Sequence, residues 1–161
     1  MRAPNRDAII WFAKAIYPKI ISNFPDIIWH IVTNKNDNMR HLESKNIKIE
    51  SNLSDDKLYS LYQSCRLAIA PLRFGAGVKG KVIEAAYNQI PMVTTSIGAE
   101  GIDKSIGAFV IADDEKKMIE IICNLYTDFP KLKKMSDSGK ILIEKFFSKK
   151  LAKEILLKDF K

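Results

Sequence analysis

Cysteine and histidine are scarce in this 161-residue chain, with two of each. Cys65 and Cys123 fall among apolar neighbours on predicted helices, which suits reduced core thiols and argues against a disulfide framework or a thiolate metal site. His30 lies mid-strand and His41 in a polar loop. Neither has a serine or cysteine constellation for nucleophilic catalysis, or ligand spacing for a metal, so both read as structural. Long apolar runs are missing as well. The longest, such as Ala8 to Ala13, are far too short to span a bilayer, and the N-terminus lacks the basic, apolar and small-residue succession of a signal peptide. Export and membrane anchoring are therefore not expected, and the cytoplasm is the predicted location. No repeat, linker or low-complexity segment interrupts the chain.

What is present is enough apolar material for one core. At 47% hydrophobic residues over this length, a single compact domain is expected. Lys and Arg total 26 against 19 Asp and Glu, a net +7 that suits anionic partners. Much of the excess runs from Lys131 to Lys161 around helical segments. No aromatics are interleaved there for base stacking, so a solvated helix face is expected and no nucleic-acid partner.

Strand-like runs occur at Ile27 to Thr33, Ile47 to Asn52, Leu67 to Leu72, Ile90 to Thr95 and Ala108 to Ala112, with helical patterns between most of them. That alternation predicts an α/β fold with a parallel, doubly wound, Rossmann-like sheet. The spacing predicts a first helix over Asn5 to Asn23 with a kink at Pro18, and a second after the N-cap Ser54 carrying Leu58, Leu61, Tyr62 and Cys65 on one face. Asp55 and Asp56 suit that helix's positive end. Three further helices are predicted near Glu115 to Thr127, Lys131 to Phe147 and Lys149 to Phe160, separated by Phe129-Pro130 and by Ser148. Trp11, Phe12 and Trp29 fall on apolar faces and read as core. Six-stranded folds of this kind use the order 3-2-1-4-5-6, but only about five strands are counted here. The chain opens on the helix that should follow strand one, so the first, central strand is missing from it. Its two neighbours then face a gap unless they close up and pair.

The stretch Gly75-Ala76-Gly77-Val78-Lys79-Gly80-Lys81-Val82-Ile83-Glu84 follows the third strand and opens a helix. Glycines let the backbone approach a ligand closely, and a helix N-terminus favours a diphosphate beside it. With two lysines and a glutamate added, the combination suits a sugar nucleotide.

Ala70-Pro71-Leu72-Arg73, Gly75-Ala76-Gly77, Lys79, Lys81-Val82-Ile83-Glu84-Ala85, Pro91-Met92-Val93 and Gly98-Ala99-Glu100-Gly101 stand here in the order found in one branch of a known family. The N-terminal Pro4-Asn5-Arg6-Asp7-Ala8 with Trp11-Phe12 fits the same branch. The chain resembles the C-terminal, donor-binding half of GT-B glycosyltransferases, most closely the retaining family 4 group. The match covers nearly every residue. It implies that residues 1–161 form one donor-binding domain, a fragment of a two-domain enzyme whose N-terminal acceptor domain is absent, so that this chain alone is inactive.

By that resemblance Glu84 accepts hydrogen bonds from the ribose hydroxyls of a nucleotide-sugar donor. Gly75, Ala76, Gly77 and Val78 bring backbone groups to the diphosphate, and Lys79 stabilises the departing nucleoside diphosphate, the catalytic role expected of this half. Lys81 either reaches a phosphate, or packs its stem and pairs with a local carboxylate. Arg2 and Arg6 lie where relatives keep a basic pair at the diphosphate, although terminal basic residues are commonly just solvated. Leu53 offers apolar cover to the base, and Glu100 either lines the sugar pocket or starts a short helix. Many relatives carry a second glutamate where Ala76 stands, which leaves the donor sugar unread. No two aspartates stand at i and i+2, so the paired-carboxylate metal device of other glycosyltransferases is missing, and neither a metal nor another cofactor is expected. The implied reaction is retaining transfer from a nucleotide sugar to a saccharide or lipid-linked acceptor held by the other domain, in a bacterial polysaccharide pathway, with room for peripheral association at the inner membrane. The alternative is a non-catalytic nucleotide-binding or partner-docking module of the same fold.

Overall fold

The computed structural model describes residues 2–33, 39–148 and 151. The chain opens on α1 (Ala3–Trp11), with Pro4 in the first turn, where a missing N–H leaves no helical bond unmade. The single kinked helix expected up to Asn23 is instead interrupted by a π-turn, Phe12–Ile16, before α2 (Tyr17–Asn23). Pro18 falls in the first turn of α2, so the wider turn ahead of it absorbs the lost donor and no sharp break is needed.

Five strands and four more helices follow: β1 (Trp29–Thr33), β2 (Ile47–Ser51), α3 (Asp55–Ser64), β3 (Ala68–Ala70), α4 (Gly80–Tyr87), β4 (Met92–Thr94), β5 (Phe109–Ile111), α5 (Glu115–Thr127) and α6 (Phe129–Phe146). The Ser54 hydroxyl accepts from the Lys57 N–H to cap α3, with Asp55 and Asp56 in the first turn as expected. Asp128 caps α6 in the same way. Phe129 and Pro130, expected to separate two helices, form the first turn of α6, a position that tolerates proline. The predicted helix over Lys149 to Phe160 lies outside the described residues apart from Leu151.

The ladders between these strands are parallel. β1 pairs with β2 in the register Trp29↔Ile47 to Thr33↔Ser51. β4 lies between β3 and β5, with Ala68↔Met92 on one side and Met92↔Phe109 on the other. Among the described residues no ladder joins β1 to β3, so the sheet is in two parts. Residues Ile28 to Val32 and Leu67 to Leu72 instead line one cavity of about 400 Å³. The order β2-β1, gap, β3-β4-β5 is the expected six-stranded order with its central strand left out.

Helices cover both faces, and the alternation along β4 sorts them. Val93, fully buried, packs with Phe12, Ile16, Ile20, Met118, Ile122 and Leu125 on one face. Met92 points the other way, to Val82, Ala86, Phe109 and Leu142. There α6 approaches α4 at Gly139, where an added Cβ would lie 2.9 Å from the Ala86 carbonyl oxygen. Phe12 and Trp29 pack edge to face at 4.8 Å, as core residues should. Trp11, half-buried like Trp29, also packs against this cluster while donating its Nε1–H to Glu115 at 2.9 Å and stacking under Arg73.

Candidate functional site

Beyond Ala70 the chain leaves β3 over two buried threonines. Thr94 Oγ1 donates to the Ala70 carbonyl at 2.9 Å, and the Thr95 hydroxyl donates to the Leu72 carbonyl. These bonds fix the root of the following loop, which then turns through Gly75 (φ +123°) and Gly77 (φ +77°). Both values are in the region that favours glycine, so the sequence permits a turn here that side-chain-bearing residues would resist. A Cβ on Gly75 would lie 3.6 Å from Pro4 Cγ, which puts the first turn of α1 against the loop. The loop ends at Lys79, the N-cap of α4.

The lysines separate into two roles. Lys79 extends its ammonium to the Gly77 carbonyl and to Glu100 Oε2 at 3.1 Å. Its side chain is only 12% exposed, whereas that of Glu100 is 48% exposed. Lys81 donates to Asn5 Oδ1 at 2.5 Å, tying α4 to α1. Burial, helped by the nearby charge of Lys79, pulls the Lys81 amine below the usual lysine range. Lys81 is thus a half-buried tie between α4 and α1, its partner an amide oxygen and not a carboxylate.

Glu84 is exposed and lines the cavity between β1 and β3, together with Asn5, Tyr62 and Lys81. Tyr62 approaches from α3. Burial first, then the Glu84 carboxylate, pushes its phenol up to about 12. Gly75, Ala76, Gly77 and Val78 stand on the exposed loop, Val78 with its side chain against Gly101. Arg2, at the N-cap of α1, and Arg6 are both solvent-exposed. Leu53 is half-buried in the turn from β2 to α3, just after Asn52 (φ +53°), and does not line the cavity. Glycine loop, Lys79 and Glu100 thus come together, as do Lys81 and Glu84, while Leu53 stands apart.

Three features of the site were not read from the sequence. Asn5 holds Lys81, and Tyr62 faces Glu84. Arg73 grips Asp7 through Nε at 2.9 Å and Nη2 at 2.5 Å, a two-pronged pair that holds the Asp7 carboxyl below its usual range. Asn5 and Asp7 belong to the N-terminal motif and Arg73 to the loop motif, so the paired motifs themselves were the available signal. Among the described residues no three His, Cys, Asp or Glu side chains are grouped to hold a metal ion, and no helix is long and apolar enough to cross a membrane.

Comparison with known proteins bears on the family and the fold. The sequence model for glycosyl transferases group 1 matches residues 1–128. An uncharacterized 44.6 kDa protein in the cps region of Klebsiella pneumoniae is 31% identical over 161 residues, covering 94% of this chain and 42% of that protein. The chain therefore spans less than half the length of this curated relative. Among solved structures, WaaG, a glycosyltransferase involved in lipopolysaccharide biosynthesis, superposes with a TM-score of 0.63 at 14% identity, over 84% of this chain and 41% of that one. The pneumococcal O-GlcNAc transferase GtfA, solved in complex with UDP and GlcNAc, gives a TM-score of 0.58 at 17% identity, over 92% of this chain and 33% of that one. Both superpositions establish the GT-B type of fold. With the family model matching most of its length, the chain belongs to the group 1 glycosyltransferases.

Proposed function

We propose that this chain is the donor-binding half of a retaining, metal-independent glycosyltransferase. The observation that carries the reading is the loop Gly75 to Lys79: it leaves the C-terminal end of β3, turns on two left-handed glycines and delivers Lys79 to the N-terminus of α4, with Glu84 further along that helix. Backbone N–H groups and an ammonium there suit a diphosphate, and a carboxylate farther along suits ribose hydroxyls. Lys79 would stabilise the leaving nucleoside diphosphate, taking its ammonium from Glu100 as the phosphate arrives. Lys81 would serve by holding α4 against α1. The gap between β1 and β3 favours a longer polypeptide in which one more parallel strand completes the sheet and an acceptor domain precedes it. A relative in a cps region and a neighbour in lipopolysaccharide biosynthesis favour a saccharide or lipid-linked acceptor on the cytoplasmic side of a bacterial membrane.

Calorimetric titration with uridine and guanosine diphosphates tests the donor site. One of them should bind the chain at micromolar concentration. Glu84→Ala should weaken that binding about tenfold to a hundredfold, the loss of charge-assisted hydrogen bonds. A folded chain that binds neither nucleotide overturns the reading.

A further inference from the structure

From Phe74 to Lys79 the chain joins no helix or strand, and among the described hydrogen bonds none is donated by a backbone N–H of these residues. Free donors suit an anion, provided that the backbone is already held in place. Ordering such a loop costs conformational entropy, so something must fix it. Its far end runs into α4, whose Val82, Ala85 and Ala86 are buried. Its near end is pinned as far as Leu72, whose carbonyl accepts from Thr95, but from Arg73 onward the chain is exposed. There the Arg73 guanidinium takes both oxygens of Asp7 on α1, with Nε at 2.9 Å from one and Nη2 at 2.5 Å from the other. A second side is closed as well. Arg73 Cζ lies 5.4 Å from the centre of the Trp11 ring, and that ring is held in turn because its Nε1–H donates to Glu115 at 2.9 Å. Gly75 then comes against Pro4 of the same helix. With the Arg73 side chain 49% exposed and that of Asp7 25% exposed, the pair adds little to the stability of the fold. What a two-pronged pair supplies at such a place is direction.

We propose that Asp7 and Arg73 are positioning residues for the glycine loop: their pair fixes the start of the loop to α1 so that its free N–H groups face a diphosphate, and Arg73 itself does not touch the phosphate. This rests on the donor-site reading above. Ordering the loop before the ligand arrives removes a conformational cost from binding, and the gain is confined to ligands that carry the phosphates.

The test is a double-mutant cycle read by calorimetry with uridine and guanosine diphosphates and by NMR titration with uridine and guanosine. Asp7→Asn, which keeps the shape but removes the charge and one of the two acceptors, should weaken whichever diphosphate binds about fivefold to tenfold and leave the matching nucleoside within about twofold. Its melting temperature should fall by no more than about 4 °C. Arg73→Gln should behave alike, and the double variant should bind no more weakly than either single one, because the pair acts as a unit. Asp7→Asn carries the test if Arg73→Gln fails to fold. The direction of its effect separates the two roles open to Arg73: a phosphate ligand held back by Asp7 would be freed by this substitution, and the diphosphate would bind more tightly. Tighter binding, a change within about twofold, equal weakening of diphosphate and nucleoside, or additive losses each overturn the proposal while leaving the donor site intact. A folded parent chain that binds neither diphosphate overturns both.

Discussion

Gly98→Ala is the most demanding test of how the loop root is held. An added Cβ would lie 2.0 Å from Thr94 Oγ1 and 3.0 Å from the Ala70 carbonyl oxygen. Neither neighbour can retreat cheaply. Thr94 is fully buried and already donates to that same carbonyl, while Gly98 is pinned from the other side because its N–H donates to Thr95 Oγ1 at 3.1 Å. The methyl must push the hydroxyl out of its rotamer, which costs about 1–3 kcal/mol of overpacking. The broken buried hydrogen bond adds about 1–3 kcal/mol more. A total of roughly 2–6 kcal/mol corresponds to a fall in melting temperature on the order of 10 °C for a domain of this size. Urea denaturation followed by circular dichroism measures it. The double variant Thr94→Ala/Gly98→Ala supplies the control: with the hydroxyl gone the 2.0 Å clash disappears, so the two losses should sum to less than additivity by about 1 kcal/mol or more. A Gly98→Ala protein within about 1 kcal/mol of the parent, or strict additivity, refutes the argument.

Four other outcomes follow from the same geometry. Gly139→Ala, whose methyl would meet the Ala86 backbone at 2.9 Å, should cost about 1–3 kcal/mol by urea titration and, by displacing α4, weaken nucleotide binding as well. Lys81→Met should leave nucleotide affinity within about twofold by calorimetry, since its ammonium is committed to Asn5; a loss beyond about tenfold would return Lys81 to the phosphate. Glu100→Gln should tighten nucleoside diphosphate binding severalfold by freeing Lys79, and calorimetry with the corresponding nucleotide sugar separates this from a lost sugar contact. In alkali the Tyr62 phenol ionises later in the folded chain than in the unfolded one. Its contribution to stability is therefore complete below pH about 10 and lost as pH rises toward about 12, and Glu84→Gln should lower the ionisation seen by near-ultraviolet absorbance.

The strands and most helices were legible because they depend on local periodicity. Ser54 with its two aspartates, and the apolar run Leu67 to Leu72, carry their own signals. The π-turn at Phe12–Ile16 was not legible, because nothing in that segment states how a helix will accommodate Pro18; the answer lies in how Phe12 and Ile16 pack against α5 and Val93. In the site, the motif reading identified which residues carry chemistry but not which of them are already engaged. Lys79 and Lys81 are two residues apart and chemically alike, yet one reaches Glu100 and the other Asn5. That distinction depends on partners 21 and 76 positions away, which no local pattern encodes.

The gap in the sheet and the candidate site bear on each other. Groups expected at the nucleotide come from both sides of the seam: Leu53, the expected cover for the base, follows β2, while the glycine loop, Lys79 and Glu84 follow β3. Among the described hydrogen bonds, those from Lys81 to Asn5, from Arg73 to Asp7 and from Trp11 to Glu115 tie α1 to the β3-β4-β5 side. A ligand spanning the seam would therefore bridge two parts that share no ladder and would stabilise their native arrangement over any in which they part. By linkage that amounts to about 2.7 kcal/mol at a hundredfold excess over the dissociation constant. Hydrogen exchange at Ile31 and Ile69, on the two facing edges, should slow together when nucleotide binds, because one event closes both.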